Sequence, residues 1–231
     1  MSQFQRTQML IGKDSQNALI NSSVAVFGIG GVGSYVCEAL ARAGIGKFML
    51  CDNDIVSESN INRQLIALHS TLGKPKTSVM AQRIKDINPA AEVREMQTFF
   101  SAENANDFDF NGFSYIIDAI DTVSSKIALI SQAKKQNIPI ISCMGTGNKF
   151  DPSKLKITDI SKTSVCPLCR VMRKELKTRN ISKVTVLYSD EEPKTPKTKM
   201  GEKPIPGSFM PVTASAGLMI AGYVLLKLMD T

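Results

Sequence analysis

The sequence predicts an α/β fold, a doubly wound and mostly parallel sheet carrying a C-terminal basic extension and a closing helix. Three observations predict it: apolar runs alternate with helical patterns, a glycine turn joins the first run to the first helix, and the excess charge is confined to one late segment. The runs at 23–28, 47–52, 92–97, 115–119 and 138–143 have the length and bounds of strands. Helical periodicity at 31–43, 75–88 and 122–136 separates them. Such alternation calls for parallel strands joined by crossovers. Beyond Gly147 come a short strand at 155–160, a helix near 167–178, a strand over 183–189 and a run at 190–204 rich in Pro, Lys and Thr. That run reads as a mobile loop. The chain closes with PVTASAGLMIAGYVLLKLM, apolar around most of a helix.

A length of 231 residues with 43% apolar content fits one α/β domain with an appendage better than two independent domains. The expected division is a nucleotide-binding part over 1–148 and a basic, substrate-binding extension of the same domain over 149–231. The start, MSQFQRTQML, lacks a basic segment followed by an apolar run, so no secretory signal and a cytoplasmic location are expected. Cys37, Cys51, Cys143, Cys166 and Cys169 are odd in number and lack framework spacing, which fits a reducing compartment. The closing helix is broken by Thr213, Ser215 and Lys227 and falls short of the roughly 20 apolar residues a bilayer requires. It is expected to pack against the sheet or a dimer partner, not to enter a membrane.

The net charge is +7, and the segment 149–203, with fourteen basic and seven acidic residues, accounts for all of it. A basic lobe on a near-neutral domain points to a polyanionic partner, although solvated lysine-rich faces are common. Aromatic residues are sparse there, with Phe150, Tyr188 and Phe209, so base stacking is not signalled.

Gly28, Gly30, Gly31 and Gly33 occupy the turn from the first strand into the first helix, which marks a Rossmann-like nucleotide site: bare backbone approaches phosphates at a helix N-terminus. Asp52 closes the second strand, where a carboxylate accepts ribose hydroxyls, and both NAD and ATP carry that ribose. The residues that follow discriminate between them. Asp52 runs into Asp54, Asn60, Arg63 and Gln64, and Lys76 comes shortly after. A dehydrogenase has no evident use for these fixed cations and amides. They suit a triphosphate whose charge grows at a breaking bond. Asp121 is expected on the same ledge after the fourth strand, either holding Mg²⁺ or capping the following helix.

In order and spacing, the glycine turn, Asp52 to Asp54, Asn60 to Gln64, Gly73 to Lys76 and Asp118 to Asp121 resemble the ubiquitin-activating-like adenylyltransferases, which include the molybdopterin and thiamine sulfur-carrier activators. The resemblance covers nearly the whole chain. Within that family, R6-TQMLIG, the segment after the glycine turn, the S161-KTSVCPLCRVMRKEL helix and the closing tail look most like the tRNA threonylcarbamoyladenosine dehydratases. The resemblance implies ATP-dependent adenylation of a carboxylate, with Asp52 on the ribose, Arg63 and Lys76 on the phosphates, Asn60 supporting them and Asp121 at Mg²⁺. It also implies a homodimer in which Arg6 reaches the partner's site, and a sulfur-relay partner is possible in such systems.

Relatives adenylate either a threonyl carboxylate on tRNA or the C-terminus of a small sulfur-carrier protein. Carrier activators commonly build a Cys₄ zinc site from two CxxC pairs, whereas this chain has only Cys166 and Cys169, half of a tetrahedral site. His69, the only histidine, is not brought near them by sequence or fold. Lys162, Arg170, Arg173, Lys174, Lys177 and Arg179 would give the late helical region a positive face for RNA. The expected partner is therefore tRNA rather than DNA, and the expected reaction is ATP-dependent dehydration of its threonylcarbamoyladenosine. Carrier-protein activation is the alternative, followed by a binding module without turnover and, distantly, NAD chemistry.

Overall fold

The structure is a computed structural model that describes residues 3–196 and 206–230. Three strands form its centre: β1 (Ser23–Phe27), β4 (Tyr115–Asp118) and β5 (Ile140–Cys143), each buried along its whole length. Continuous apolar runs are required because helices cover both faces of a parallel sheet. Outward from β1 lie β2 (Lys47–Cys51) and β3 (Glu92–Met96). Outward from β5 lie β7 (Thr185–Ser189) and β6 (Leu155–Asp159). The seven strands run in the order β3-β2-β1-β4-β5-β7-β6, all parallel except the β6–β7 pair. Both late strands of the basic extension thus continue the nucleotide-binding sheet.

Among the described residues seven α-helices accompany the sheet: α1 (Gln5–Ile11), α2 (Lys13–Asn21), α3 (Gly33–Ala43), α4 (Lys76–Ile87), α5 (Val123–Lys135), α6 (Pro167–Thr178) and α7 (Met210–Met229). Alternation along each strand sends neighbouring side chains to opposite faces. Val24, Val26, Leu50, Ile117 and Ile141 pack with Val36 and Leu40 of α3, Ile84 of α4, and Ile220 and Val224 of α7. Phe27, Met49 and Ile116 pack on the other face with Leu129 and Ile130 of α5, and Met172 and Leu176 of α6. Fully burying one such side chain contributes about 1.5–3 kcal/mol. The strand order reverses between β1 and β4, which opens a crevice at their C-terminal ends.

The strands and later helices fall within a few residues of the sequence expectation. The pair α1–α2, hinged at Gly12, was not anticipated, because residues 1–22 hold little apolar periodicity and α1 buries no side chain. The closing helix packs chiefly on α3 and α2, and only its flank reaches β5 and β6. Gly217 permits this approach, since a Cβ there would lie 2.5 Å from the Val32 carbonyl oxygen. Although α7 has the length and hydropathy of a membrane span, half of it is buried against the rest of the chain. Of the run expected to be a mobile loop, residues 190–196 have no helix or strand, and 197–205 lie outside the described residues.

Candidate active site

The crevice is lined first by the glycine turn. Gly28 takes φ +86° and lies so close to the segment after β4 that a Cβ would stand 2.6 Å from the Ala119 carbonyl oxygen. A Cβ on Gly33 would stand 1.8 Å from the Gly28 carbonyl oxygen. Only glycine lets strand, turn and helix close up here. Asp52 is tied to the turn directly: its Oδ2 accepts from the Ile29 N–H at 2.6 Å and its Oδ1 from the Asp54 N–H at 2.8 Å. Burial raises its pKa, against the opposing pull of Lys76 and of those two N–H groups.

The segment after β2 brings the cations in. Lys76 opens α4, is buried, and donates from Nζ to Asp54 Oδ2 at 2.7 Å. Arg63 Nη1 donates to the Ser59 carbonyl and to Asn62 Oδ1, both at 2.9 Å. Both acceptors are neutral, so the guanidinium charge has no carboxylate partner among the described residues. Its stem crosses Gly31, where a Cβ would meet Arg63 Cγ at 3.3 Å. Gln64 lies over Gly30 with its Nε2 toward the turn, 3.6 Å from where a Cβ on Gly30 would stand, while its buried Oε1 has no hydrogen-bond partner among the described residues. Asn60 is buried and its Oδ1 accepts from the Ser57 N–H at 3.2 Å. The Gly28, Gly30, Gly31, Gly33, Asp52, Asp54, Asn60, Arg63, Gln64 and Lys76 constellation is therefore one contiguous surface.

Asp121 follows β4, exposed, and accepts only from the Thr122 hydroxyl at 3.2 Å. The N-cap of α5 is Thr122, so Asp121 does not cap that helix. Three residues earlier lies a feature the sequence reading missed. Asp118 is wholly buried, pairs with Lys126 Nζ at 3.1 Å, and accepts from the Ser142 hydroxyl and the Ile120 N–H. Lys126 also donates to the Ile120 carbonyl at 2.8 Å, fixing the loop that carries Asp121. A lysine beside Ile127, Leu129 and Ile130 on the buried side of a helix was the available signal.

Arg6 does not join the site. It is exposed on α1, next to Phe4, whose ring reaches Gly44 at the far end of α3 from Gly33. An 11-residue helix separates the two ends by about 16 Å.

Arg170, Lys174 and Lys177 share the face of α6 opposite its buried Cys169, Met172 and Leu176, and all three are exposed, as is Lys162. Two of the six expected RNA-facing residues are engaged elsewhere. Arg173 ties its guanidinium to the Thr163 carbonyl at 3.0 Å, and Arg179 pairs with Glu175 at 2.8 Å. Cys169 is buried as expected of a core-facing residue, and Cys143 is buried at the end of β5. Cys166 is the N-cap of α6, where hydrogen bonds from the Cys169 thiol and from the N–H groups of Cys169, Gly145 and Leu168 bring its pKa down to about 5. The same bond pushes the Cys169 thiol up. Among the described residues no group of three His, Cys, Asp or Glu side chains is arranged to hold a metal, and His69 is exposed on a separate turn. A groove of about 820 Å³ between α5 and α6, lined by Ile127, Ser131 and Val171, touches this ledge only at Thr122 and contains none of the residues that line the crevice.

A glycine turn, a carboxylate at the end of the second strand and a cation without a carboxylate partner among the described residues, at the switch point of a parallel sheet, define a nucleotide-binding α/β protein. Residues 4–231 match the ThiF family, and the chain belongs to it. It is 43% identical to the tRNA threonylcarbamoyladenosine dehydratase of Bacillus subtilis, over 99% of this chain and 95% of that one. The dehydratase of the same name from Escherichia coli is 41% identical over 75% of this chain and 65% of its own length. Crystal structures of the E. coli dehydratase with AMP and with ATP superpose at a TM-score of 0.91 and 35% identity, covering 99% of this chain and 94% of theirs. E. coli MccB with ATP, at 20% identity and a TM-score of 0.71, shares the fold.

Proposed function

We propose that this protein is an ATP-dependent tRNA threonylcarbamoyladenosine dehydratase. The observation that carries the reading is the match over 99% of this chain to a protein solved with both ATP and AMP, together with a crevice in which Arg63 has no carboxylate partner among the described residues. ATP would enter with its ribose on Asp52 and its phosphates over the glycine turn, between Arg63 and Lys76. Gln64 Nε2, on the glycine-turn side, would offer a donor to the phosphates, and Asn60 holds the Ser57 backbone that shapes the loop.

The threonyl carboxylate attacks the α-phosphorus, a P–O bond forms, and pyrophosphate leaves. Charge grows on the phosphate oxygens during this step, and the fixed cations Arg63 and Lys76 stabilise it. The carbamoyl group on the same nucleotide then attacks the acyl carbon, closing a ring, losing a proton and releasing AMP. The net change is loss of water. An attacking group on the substrate itself gains a high effective molarity, so the buried cysteines need not form a covalent intermediate.

Asp121 would hold Mg²⁺. Its carboxylate is exposed and bound to no cation, and a single protein carboxylate plus phosphate oxygens suits an ion that keeps most of its waters. The ion would neutralise phosphate charge.

The working form is proposed to be a homodimer in which Arg6 serves the partner's site. Support comes from its distance from its own site and from Met9 and Leu10 on the same helix, which are 81% and 86% exposed. Lys162, Arg170, Lys174 and Lys177 are the proposed tRNA-facing cations of the basic extension, in the cytoplasm where tRNA is modified. A sulfur-relay protein is a possible further partner, and stimulation of turnover by a cysteine desulfurase system would reveal it.

Incubation with ATP, Mg²⁺ and tRNA carrying threonylcarbamoyladenosine, followed by nucleoside mass spectrometry, tests the reading. The expected product is lighter by one water, and Arg63→Ala and Asp121→Ala abolish AMP release. Pyrophosphate exchange stimulated by a protein ending in Gly-Gly and indifferent to tRNA would instead establish carrier activation.

A further inference from the structure

Phe150 and Phe209 are 59 residues apart in sequence, yet their rings meet with centroids 5.7 Å apart and planes inclined at 58°. They remain 58% and 43% exposed, although burying aromatic rings is normally favourable. The segment leaving β5 and the segment entering α7 bring them together. Asn148 N–H donates to the Gly207 carbonyl at 2.8 Å, and Gly207 N–H donates to Asn148 Oδ1 at 2.6 Å. Phe150 is further fixed by the Glu191 carboxylate, which accepts from the Phe150 N–H at 3.0 Å and the Asp151 N–H at 2.9 Å. The ring pair is thus tied through hydrogen bonds of the backbone on both sides.

Its position relates it to the nucleotide crevice. Phe209 is the N-cap of α7, and Thr213 one turn later lies beside Gly31 and the Arg63 stem. The Ser208 carbonyl accepts from Asn62 Nδ2 in a long bond of 3.5 Å, and Asn62 Oδ1 accepts from Arg63 at 2.9 Å. The exposed Lys194 is joined to the same platform through its N–H to the Asn148 carbonyl. A partly exposed aromatic pair, linked to Arg63 and Lys194, which have no carboxylate partner among the described residues, matches a flat base carried on a phosphate backbone.

We infer that Phe150 and Phe209 form the seat for the purine base that bears the threonylcarbamoyl group, holding it while its carboxylate reaches the crevice. This deepens the dehydratase reading and rests on it. A base must leave its stack to enter an enzyme site, and a ring on the protein replaces the lost stacking. Tertiary structure assembles a stacking site where the scarcity of aromatic residues gave no sequence signal.

The test is steady-state kinetics of the full-length protein with ATP and threonylcarbamoyladenosine-bearing tRNA, combined with inhibition by free threonylcarbamoyladenosine nucleoside. Phe150→Ala and Phe209→Ala should each raise the tRNA KM roughly 10- to 100-fold and weaken nucleoside inhibition by a similar factor, leaving the ATP KM in place. Phe150→Tyr should retain wild-type values, whereas Phe150→Leu, equally apolar but without a π face, should resemble the alanine variant. If an alanine variant fails to fold, the Tyr and Leu pair decides the question. Rescue by Leu as good as by Tyr, or tRNA and nucleoside values unmoved in the alanine variants, overturns the inference while the dehydratase reading stands. Wild-type protein inactive on tRNA, with the Phe variants impaired on a Gly-Gly-terminated carrier, overturns both.

Discussion

Lys126 Nζ lies 3.1 Å from the Asp118 carboxylate, and both side chains are wholly withdrawn from solvent at the C-terminal end of β4. One residue later the Ala119 carbonyl presses on Gly28, so the pair sits under the nucleotide turn and fixes the loop to Asp121. Removing one partner strands a buried charge. Lys126→Met is therefore expected to destabilise by about 3–5 kcal/mol. The Asp118→Leu, Lys126→Met double variant should cost much less than the sum of the single changes. Urea denaturation of the four proteins checks this, and simple additivity would refute coupling.

Lys76 is the buried cation of the crevice, and only Asp54 pairs with it. Lys76→Met keeps the stem and loses the charge. Its kcat for AMP formation should fall about 10²- to 10³-fold, the loss typical of one transition-state donor. Normal cooperative unfolding alongside that loss would separate catalysis from folding.

Asp52 should give nucleotide binding a pH dependence of definite sign. Burial raises its pKa, and the ionised form is the one that accepts ribose hydroxyls. Affinity for an ATP analogue should therefore decline on acidification at a higher pH than an ordinary aspartate would allow. Lys76→Met should move that midpoint higher still, because Lys76 pulls it down. For folding the sign is opposite. The folded state holds this proton more tightly than the unfolded chain does, so the Asp52 contribution favours folding as pH falls through its raised value. Calorimetric titration between about pH 4 and pH 7 covers the window.

Two glycines should respond very differently to alanine. At Gly33 the new Cβ would stand 1.8 Å from backbone oxygen, so Gly33→Ala should lose nucleotide binding and much of its stability. At Gly12, where φ is +84° and ψ 169°, a region held almost only by glycine, and nothing lies within 4 Å, backbone strain of about 1–3 kcal/mol is expected. Thermal unfolding monitored by circular dichroism compares them.

The exposed face of α6 should govern salt dependence rather than chemistry. Replacing Arg170, Lys174 and Lys177 together by Gln should weaken tRNA binding and reduce the slope of log affinity against log salt by up to about three. The ATP KM should not change. An unaltered slope would place the RNA elsewhere on the protein.

Much was legible in the chain itself. Buried parallel strands need unbroken apolar runs, and YIID and IISC announce them. A glycine turn must sit where backbone meets backbone, and a cation-rich segment after the second strand marks a polyphosphate. Local pattern could not reveal which charges would be spent internally. Arg173 and Arg179 read as RNA-facing; Arg173 is tied to Thr163, ten residues earlier, whereas the Arg179–Glu175 pair is an i,i+4 contact that the local pattern held. Nothing in the local pattern joined Asp118 to Lys126, yet folding buries them as a pair. Helical and strand periods are set by neighbours in sequence, so the sequence determined the order of elements and the ledge on which they converge. Pairings across 59 or more residues depend on which segments the sheet brings side by side. Tertiary structure alone therefore decided the Phe150–Phe209 notch and the separation of Arg6 from its own crevice.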